Sequence, residues 1–185
     1  MDGAGETVTA PFPSGMNSIT TERLILRRQR VDDASVFRRL WTERDPRVPA
    51  HRRLSPDGRP GIADIEAQIR ATATTDAQQR LLAVVRKDGG DAIGYCGLLM
   101  DEGAPEDPEL AFELLQAVHN RGYATEAAQA VVAWASGSGY RRLRATVWDW
   151  NVASRRVLEK LGFRSAGPSG AESTHGKSLL MVRPL

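Results

Sequence analysis

Six consecutive residues, His119-Asn120-Arg121-Gly122-Tyr123-Ala124, contain what an anion-binding turn needs. They fall between a run that alternates like a strand, Glu109 to Leu115, and a run with helical periodicity, Thr125 to Ser136. The first backbone N–H groups of a helix have no partner inside it, and the helix dipole adds partial positive charge at the same end. Gly122 and Ala124 are small enough to let a phosphate approach that backbone, and Arg121 can add a full charge. His119 can cap the turn or touch the anion. Asn120 is the type of residue, after glycine, that best tolerates left-handed backbone angles. A single glycine before a helix is common in ordinary turns, so the segment gains meaning only from what accompanies it.

Other residues could do chemistry, each with a plainer reading beside it. Asn151 stands where a helix running to Leu161 begins and reads as its N-cap; Ser154, in the first turn, can bond locally or offer a hydroxyl to a reaction. Glu109 and Glu113 lie on the strand before the turn, and Glu172 lies before the final strand. Any of the three, or a water, could remove a proton, whereas a solvated carboxylate is the alternative. Cys96, in an apolar run, reads as a small core residue. His51 and His175 occupy separate loops with no cysteine or carboxylate at metal-ligand spacing, so no metal site is expected. Trp148 and Trp150 flank Asp149 and serve packing or line an entrance.

The elements that must position these residues follow from periodicity. Leu24 and Leu26 alternate as a strand, and Asp32-Asp33 sits where a helix carrying Phe37, Leu40 and Trp41 would start. Glu43 to Gly61, with four prolines and five arginines, reads as an irregular loop. Ile62, Ile65 and Ile69 give a second helix. Leu81–Arg86 and Ile93–Met100 form a hairpin about the turn Lys87-Asp88-Gly89-Gly90-Asp91. After Glu109–Leu115 and the helix ended by Gly137 and Gly139 come a strand, Leu143–Trp148, the helix Asn151–Leu161, and two closing strands, Phe163–Ala166 and Ser178–Val182. An antiparallel meander that leads into one βαβ crossover predicts an α/β (α+β) domain with a mixed sheet covered by helices. A nucleotide-binding Rossmann unit is excluded, because the glycine turn follows a meander and not an opening strand.

Composition limits partners. The chain has 185 residues, 41% of them hydrophobic and 26% charged, which suits one globular domain, expected over residues 19–185, after a flexible extension over residues 1–18. The net charge of +2 is spread evenly, so no nucleic-acid partner is expected. One cysteine, no run long enough to cross a bilayer and no secretory pattern in Met1–Asn17 point to a cytoplasmic protein without a membrane partner.

The phosphate-type turn resembles the acyl-CoA pyrophosphate loop of the GNAT superfamily, Gln/Arg-x-x-Gly-x-Gly/Ala. Glu109-Leu110-Ala111-Phe112 and Gly122-Tyr123-Ala124-Thr125-Glu126-Ala127 resemble its ribosomal-protein N-acetyltransferase branch. Asn151-Val152-Ala153-Ser154 through Glu159-Lys160-Leu161-Gly162-Phe163 is similar to that branch's Asn-x-x-Ser helix and Lys-x-Gly-Phe ending. Departures are His119 in place of Gln or Arg, Asn120 in place of a common glycine, and Gln116-Ala117 in place of a proline.

The resemblance implies a GNAT fold: a single, mostly antiparallel sheet of about six to seven strands, about four helices, and a splayed fourth and fifth strand. It implies acetyl-CoA as cosubstrate, no metal, and an amine acceptor that is a protein N-terminus or a small molecule. Phe112 and Leu114 would bond the pantetheine through their backbone; His119, Asn120, Arg121, Gly122, Tyr123, Ala124 and Thr125 would hold the diphosphate, with Asn151 near the cofactor. Ser154 would donate a proton to the departing thiolate, and Glu109 would serve the acceptor amine. An acyl-CoA-binding sensor or assembly module without turnover is the competing function, and the chain is a monomer or a homodimer.

Overall fold

The computed structural model describes residues 18–74, 79–100, 106–170 and 173–185. Strands β1 (Ser18–Thr20) and β2 (Leu24–Arg27) are followed by helices α1 (Ala34–Glu43) and α2 (Ile62–Thr74). Strands β3 (Gln79–Arg86), β4 (Ala92–Leu99) and β5 (Glu109–Leu114) complete a meander. Helix α3 (Tyr123–Gly137), β6 (Arg142–Trp148), α4 (Val152–Lys160), β7 (Arg164–Pro168) and β8 (Ser178–Pro184) finish the domain.

All eight strands form one sheet in the order β1-β2-β3-β4-β5-β6-β8-β7. Every neighbouring pair is antiparallel except β5 and β6, which are parallel and joined by α3, the one βαβ crossover that the periodicity implied. The sheet has one strand more than expected: β1 is three residues long with a single apolar side chain, Ile19, too short to show a period. The four helices match expectation. Helix α3 starts two residues earlier than its apolar stripe, so Tyr123 and Ala124 belong to its first turn and not to the preceding loop.

Ala127, Ala128, Val131 and Ala135 are fully buried on α3, and their small side chains let the helix lie close across β2, β4 and β5. Leu24, Leu26, Leu98, Leu143 and Phe163, also fully buried, carry this core along the sheet. Helix α1 packs against α2 and over β4, where Phe37 meets the edge of Tyr95. Asp33 stands at the head of α1 as expected and is buried there; it accepts hydrogen bonds from two Arg27 nitrogens, both at 2.8 Å, and from the Arg30 amide at 2.7 Å. No helix among the described residues is long and apolar enough to cross a membrane.

One glycine fixes how closely β4 and β5 approach. Gly94 has φ +148°, and a Cβ there would stand 2.1 Å from the Glu113 carbonyl oxygen and 2.7 Å from the Leu114 Cα. Backbone cannot yield to that contact as a flexible side chain could. Gly94→Ala is therefore expected to cost about 2–4 kcal/mol from overpacking and strain together, read as a lower urea midpoint with unchanged slope.

Candidate active site

The site begins with a pair of strands that meet and then part. β5 and β6 register only at Glu109 and Arg144, where the Arg144 amide donates to the Pro108 carbonyl at 3.1 Å. The Leu115 amide donates to the Ile93 carbonyl on the opposite side at 2.9 Å. Successive strand residues turn their N–H and C=O groups to alternate edges, so the Pro108 carbonyl and both groups of Leu110, Phe112 and Leu114 turn toward β6. Beyond Leu110 there is no strand to receive them. At the point of parting, the Glu109 carboxylate takes over as acceptor: its Oε1 receives the Thr146 amide at 3.2 Å, and its Oε2 lies 3.9 Å from the Arg144 Nε.

The open end of this split runs into the head of α3. Asn120 has φ 60°, the one positive-φ residue other than glycine among those described, and Gly122 follows with φ 81°. Two left-handed residues turn the chain so that successive amides face one hollow. Gly122 has no side chain to cap the helix, and the first amide bonded within it is that of Glu126, to the Gly122 carbonyl at 3.0 Å. The amides of Tyr123, Ala124 and Thr125 are left facing outward. His119 does something different from touching an anion: its Nε2 sits 2.8 Å from the Leu114 carbonyl oxygen and ties down the end of β5. Gln116 uses the amide that a proline would lack, donating it to Glu43 at 2.7 Å.

A cleft of about 1090 Å³ joins these features. Eleven of the residues singled out for function line it: Glu109, Phe112, Leu114, His119, Asn120, Gly122, Tyr123, Ala124, Thr125, Asn151 and Ser154. Arg121 does not; it is exposed, and its carbonyl accepts from Arg23 at 3.0 Å. Glu172 lies outside the described residues. Across the split, the Asn151 side chain accepts the Ser154 amide at 3.1 Å, so it is the N-cap of α4. That bond fixes the Ser154 backbone while its hydroxyl has no partner among the described residues. Trp148 and Trp150 also line the cleft, stacked at 6.2 Å, with the Arg47 guanidinium 4.1 Å over the Trp150 ring.

Glu113 is engaged elsewhere. Its two oxygens accept from Arg44 at 2.8 and 2.6 Å, and one accepts from the Tyr95 hydroxyl at 2.9 Å. Burial, and then the Glu113 charge, push the Tyr95 phenol well above its usual range. Burial likewise pushes the Cys96 thiol up, and Cys96 is wholly buried in the core.

Two functional features carry no signal in the motifs. One is the Arg44 fork, whose partner Glu113 is 69 residues away. The other is a clasp on the phosphate-type loop: Glu126 accepts from the Thr21 hydroxyl at 2.6 Å, the Arg23 amide at 2.8 Å and the Arg23 Nε at 2.7 Å. The same guanidinium holds the Arg121 carbonyl and lies 4.6 Å over the Tyr123 ring. Such partners, about a hundred positions apart, cannot be paired from spacing alone.

With the geometry in view, the comparisons are direct. The acetyltransferase (GNAT) domain matches residues 23–164, more than half of the chain, and the protein belongs to that family. An uncharacterised N-acetyltransferase, p20, of Bacillus licheniformis is 27% identical over 153 residues, 82% of this chain and 85% of its own. Two solved structures share the fold. The ribosomal-protein-S5-alanine acetyltransferase of Vibrio fischeri has a TM-score of 0.65 at 15% identity, covering 90% of this chain and 96% of its own. The microcin C7 self-immunity acetyltransferase MccE, in complex with acetyl-CoA and AMP, has a TM-score of 0.69 at 14% identity, covering 89% and 94%.

The clasp gives a pH-dependent expectation. Burial alone would raise the Glu126 carboxyl, but the bonds from Thr21 and Arg23 outweigh it and its pKa lies below the ordinary value. A depressed pKa means stability that is present above the unfolded value, 4.5, and is lost as pH falls through the folded one. Glu126→Gln is expected to cost about 1–3 kcal/mol at pH 7, discounted for the half-exposed Arg23. Urea unfolding of both proteins from pH 7 to pH 3 should show that difference shrinking below pH 4.5; a constant difference would remove the clasp from the account.

Proposed function

We propose that this protein is an N-acetyltransferase that carries an acetyl group from acetyl-CoA to a primary amine by direct attack in a ternary complex. The observation that carries the reading is the continuous path from the free amides at the head of α3 into the split, where Phe112 and Leu114 turn backbone groups toward no strand. An extended arm bearing amides is the ligand such an edge accepts, as an added strand would be. A diphosphate is the anion that the left-handed turn and helix head accept.

Asn120, Gly122, Tyr123, Ala124 and Thr125 hold the diphosphate of acetyl-CoA, and Phe112 and Leu114 pair with the pantetheine amides. An arm entering beside Leu114 and running back along β5 reaches Glu109 after about 17 Å, the rise of the strand between those residues. The thioester then lies at the closed end of the split, where a strand amide facing its oxygen stabilises the charge that develops on attack. Glu109, with one oxygen on the Thr146 amide, takes the amine proton on the other, directly or through a water. The C–N bond forms, the C–S bond breaks, and the Ser154 hydroxyl donates its proton to the departing thiolate; Ser154 then takes a proton from solvent and Glu109 gives one up to it. Asn151 holds Ser154 at the required place through the helix cap. Arg121 contributes its carbonyl to the clasp and no direct contact. The whole reaction takes place in the cytoplasm, on a monomer or a homodimer.

The test is release of free thiol from acetyl-CoA across a panel of amines, above the hydrolysis rate; coenzyme binding without amine-dependent thiol would leave an acyl-CoA-binding module instead. Ser154→Ala is expected to lower kcat by on the order of 10²- to 10⁴-fold with little change in acetyl-CoA affinity, and weakened binding with unchanged turnover would remove the acid role. Gly122→Glu, placed at φ 81° beside the free amides, is expected to abolish coenzyme binding in calorimetry. Normal affinity in a folded Gly122→Glu protein would overturn the diphosphate assignment.

A further inference from the structure

Each carboxylate that lines the cleft already has a donor. Glu43 accepts from Arg39 and from the Gln116 amide, Asp45 from Arg47, Glu109 from the Thr146 amide, and Glu113 from Arg44 and Tyr95. Every lining carboxylate is therefore satisfied. Arg52 is the exception among the cations of this end: it lines the cleft, and its guanidinium has no hydrogen bond or ion pair among the described residues. Two other unpaired cations line the cleft, Arg156 and Lys160, but both are on α4, the helix that touches α3.

Arg52 is held in place by the site itself. Arg44, whose fork grips Glu113 on β5, also donates its Nη1 to the Arg52 carbonyl at 2.7 Å. The loop is fastened a second time where Arg47 covers Trp150 and the His175 Nδ1 meets the Arg47 carbonyl at 3.1 Å. A loop pinned at both places, with one cation left free over a cleft, is preorganised for an anion. The surplus lies on the Tyr95 and Glu113 side of β5, away from the amides that face a diphosphate. Resting on the acetyltransferase reading, the geometry points to an acceptor that carries, besides its amine, a carboxylate or phosphate group bound by Arg52.

The experiment compares matched acceptor pairs: phenylalanine with phenylalaninamide, phosphoethanolamine with ethanolamine, and an Ala-Asp dipeptide amide with its Ala-Asn counterpart. The three pairs separate a free α-carboxylate, a phosphate and an acidic side chain as the source of the anion. In at least one pair the anionic member should have kcat/KM higher by on the order of 10- to 100-fold, the worth of a charge-assisted hydrogen bond. Arg52→Ala should bring that ratio close to one through KM, Arg52→Lys should retain part of it, and acetyl-CoA affinity should hold in both variants. Equal rates within every pair, or a preference that survives Arg52→Ala, would overturn the inference while leaving the transferase intact. Absence of thiol release with every amine would instead strike the transferase reading. Calorimetric titration of the same pairs into the protein with CoA still decides the anion question in that case, since Arg52-dependent binding of the anionic member supports it and its absence refutes it.

Discussion

The site depends on one missing strand pairing. A buried amide or carbonyl left without a partner costs about as much as a lost hydrogen bond, so a sheet does not open at its centre without compensation. Here the compensation is visible on both sides. β5 stays paired with β4 along six positions and β6 with β8 along seven, so each strand bordering the gap is secured by its outer neighbour. The Glu109 carboxylate then receives the first β6 amide that β5 no longer reaches. What is left facing the gap is a short edge from Phe112 to Leu114, with the Leu114 carbonyl already bonded by His119. A ligand with alternating donors and acceptors would complete the edge, as the pantetheine arm of the proposed coenzyme would.

Around that gap, long-range charge pairs hold the loops. Thr21 and Arg23, just before β2, grip Glu126 in the first turn of α3 and so join the first part of the chain to the left-handed turn at the head of α3. Arg44, at the end of α1, performs the same task on the other side of β5 through Glu113. Both carboxylates are held by several donors, one a guanidinium engaged through two nitrogens, the geometry in which an ion pair orients its partners most firmly. Each fixes a loop relative to a strand edge, and the precision of the site rests on those loops.

The parts of this design differ in how far the amino-acid sequence reveals them. Periodicity is local, so the strand-helix order, the crossover and the two motifs flanking β6 could be read directly, and Asn120 could be recognised by its tolerance of φ 60°. Side-chain partners are not local. Asp33 reads correctly as a helix start, but its partner Arg27 is not legible, and His119 reads as a cap or an anion contact with no sign that its partner is the Leu114 carbonyl. Arg121 carries the charge that a phosphate loop invites, yet its carbonyl, not its guanidinium, is what the loop uses. The three-residue β1 has no period to detect. Residue type predicts what a group can do, and only the fold decides which of its possible partners is within reach.

In the proposed reaction one strand would serve two substrates. Because its residues alternate, β5 turns the backbone groups of Phe112 and Leu114 to its open edge, while Glu109 and Glu113 share one face of the sheet. On that face Glu113 is tied to Arg44, which sets the loop bearing Arg52, and Glu109 sits where the split closes. In the proposed reaction the coenzyme would be recognised by main chain, which substitution changes little, and the acceptor by side chains on a loop, which substitution changes freely. An acetyl donor common to many reactions and an acceptor particular to one can be combined in this way without altering the sheet that brings them together.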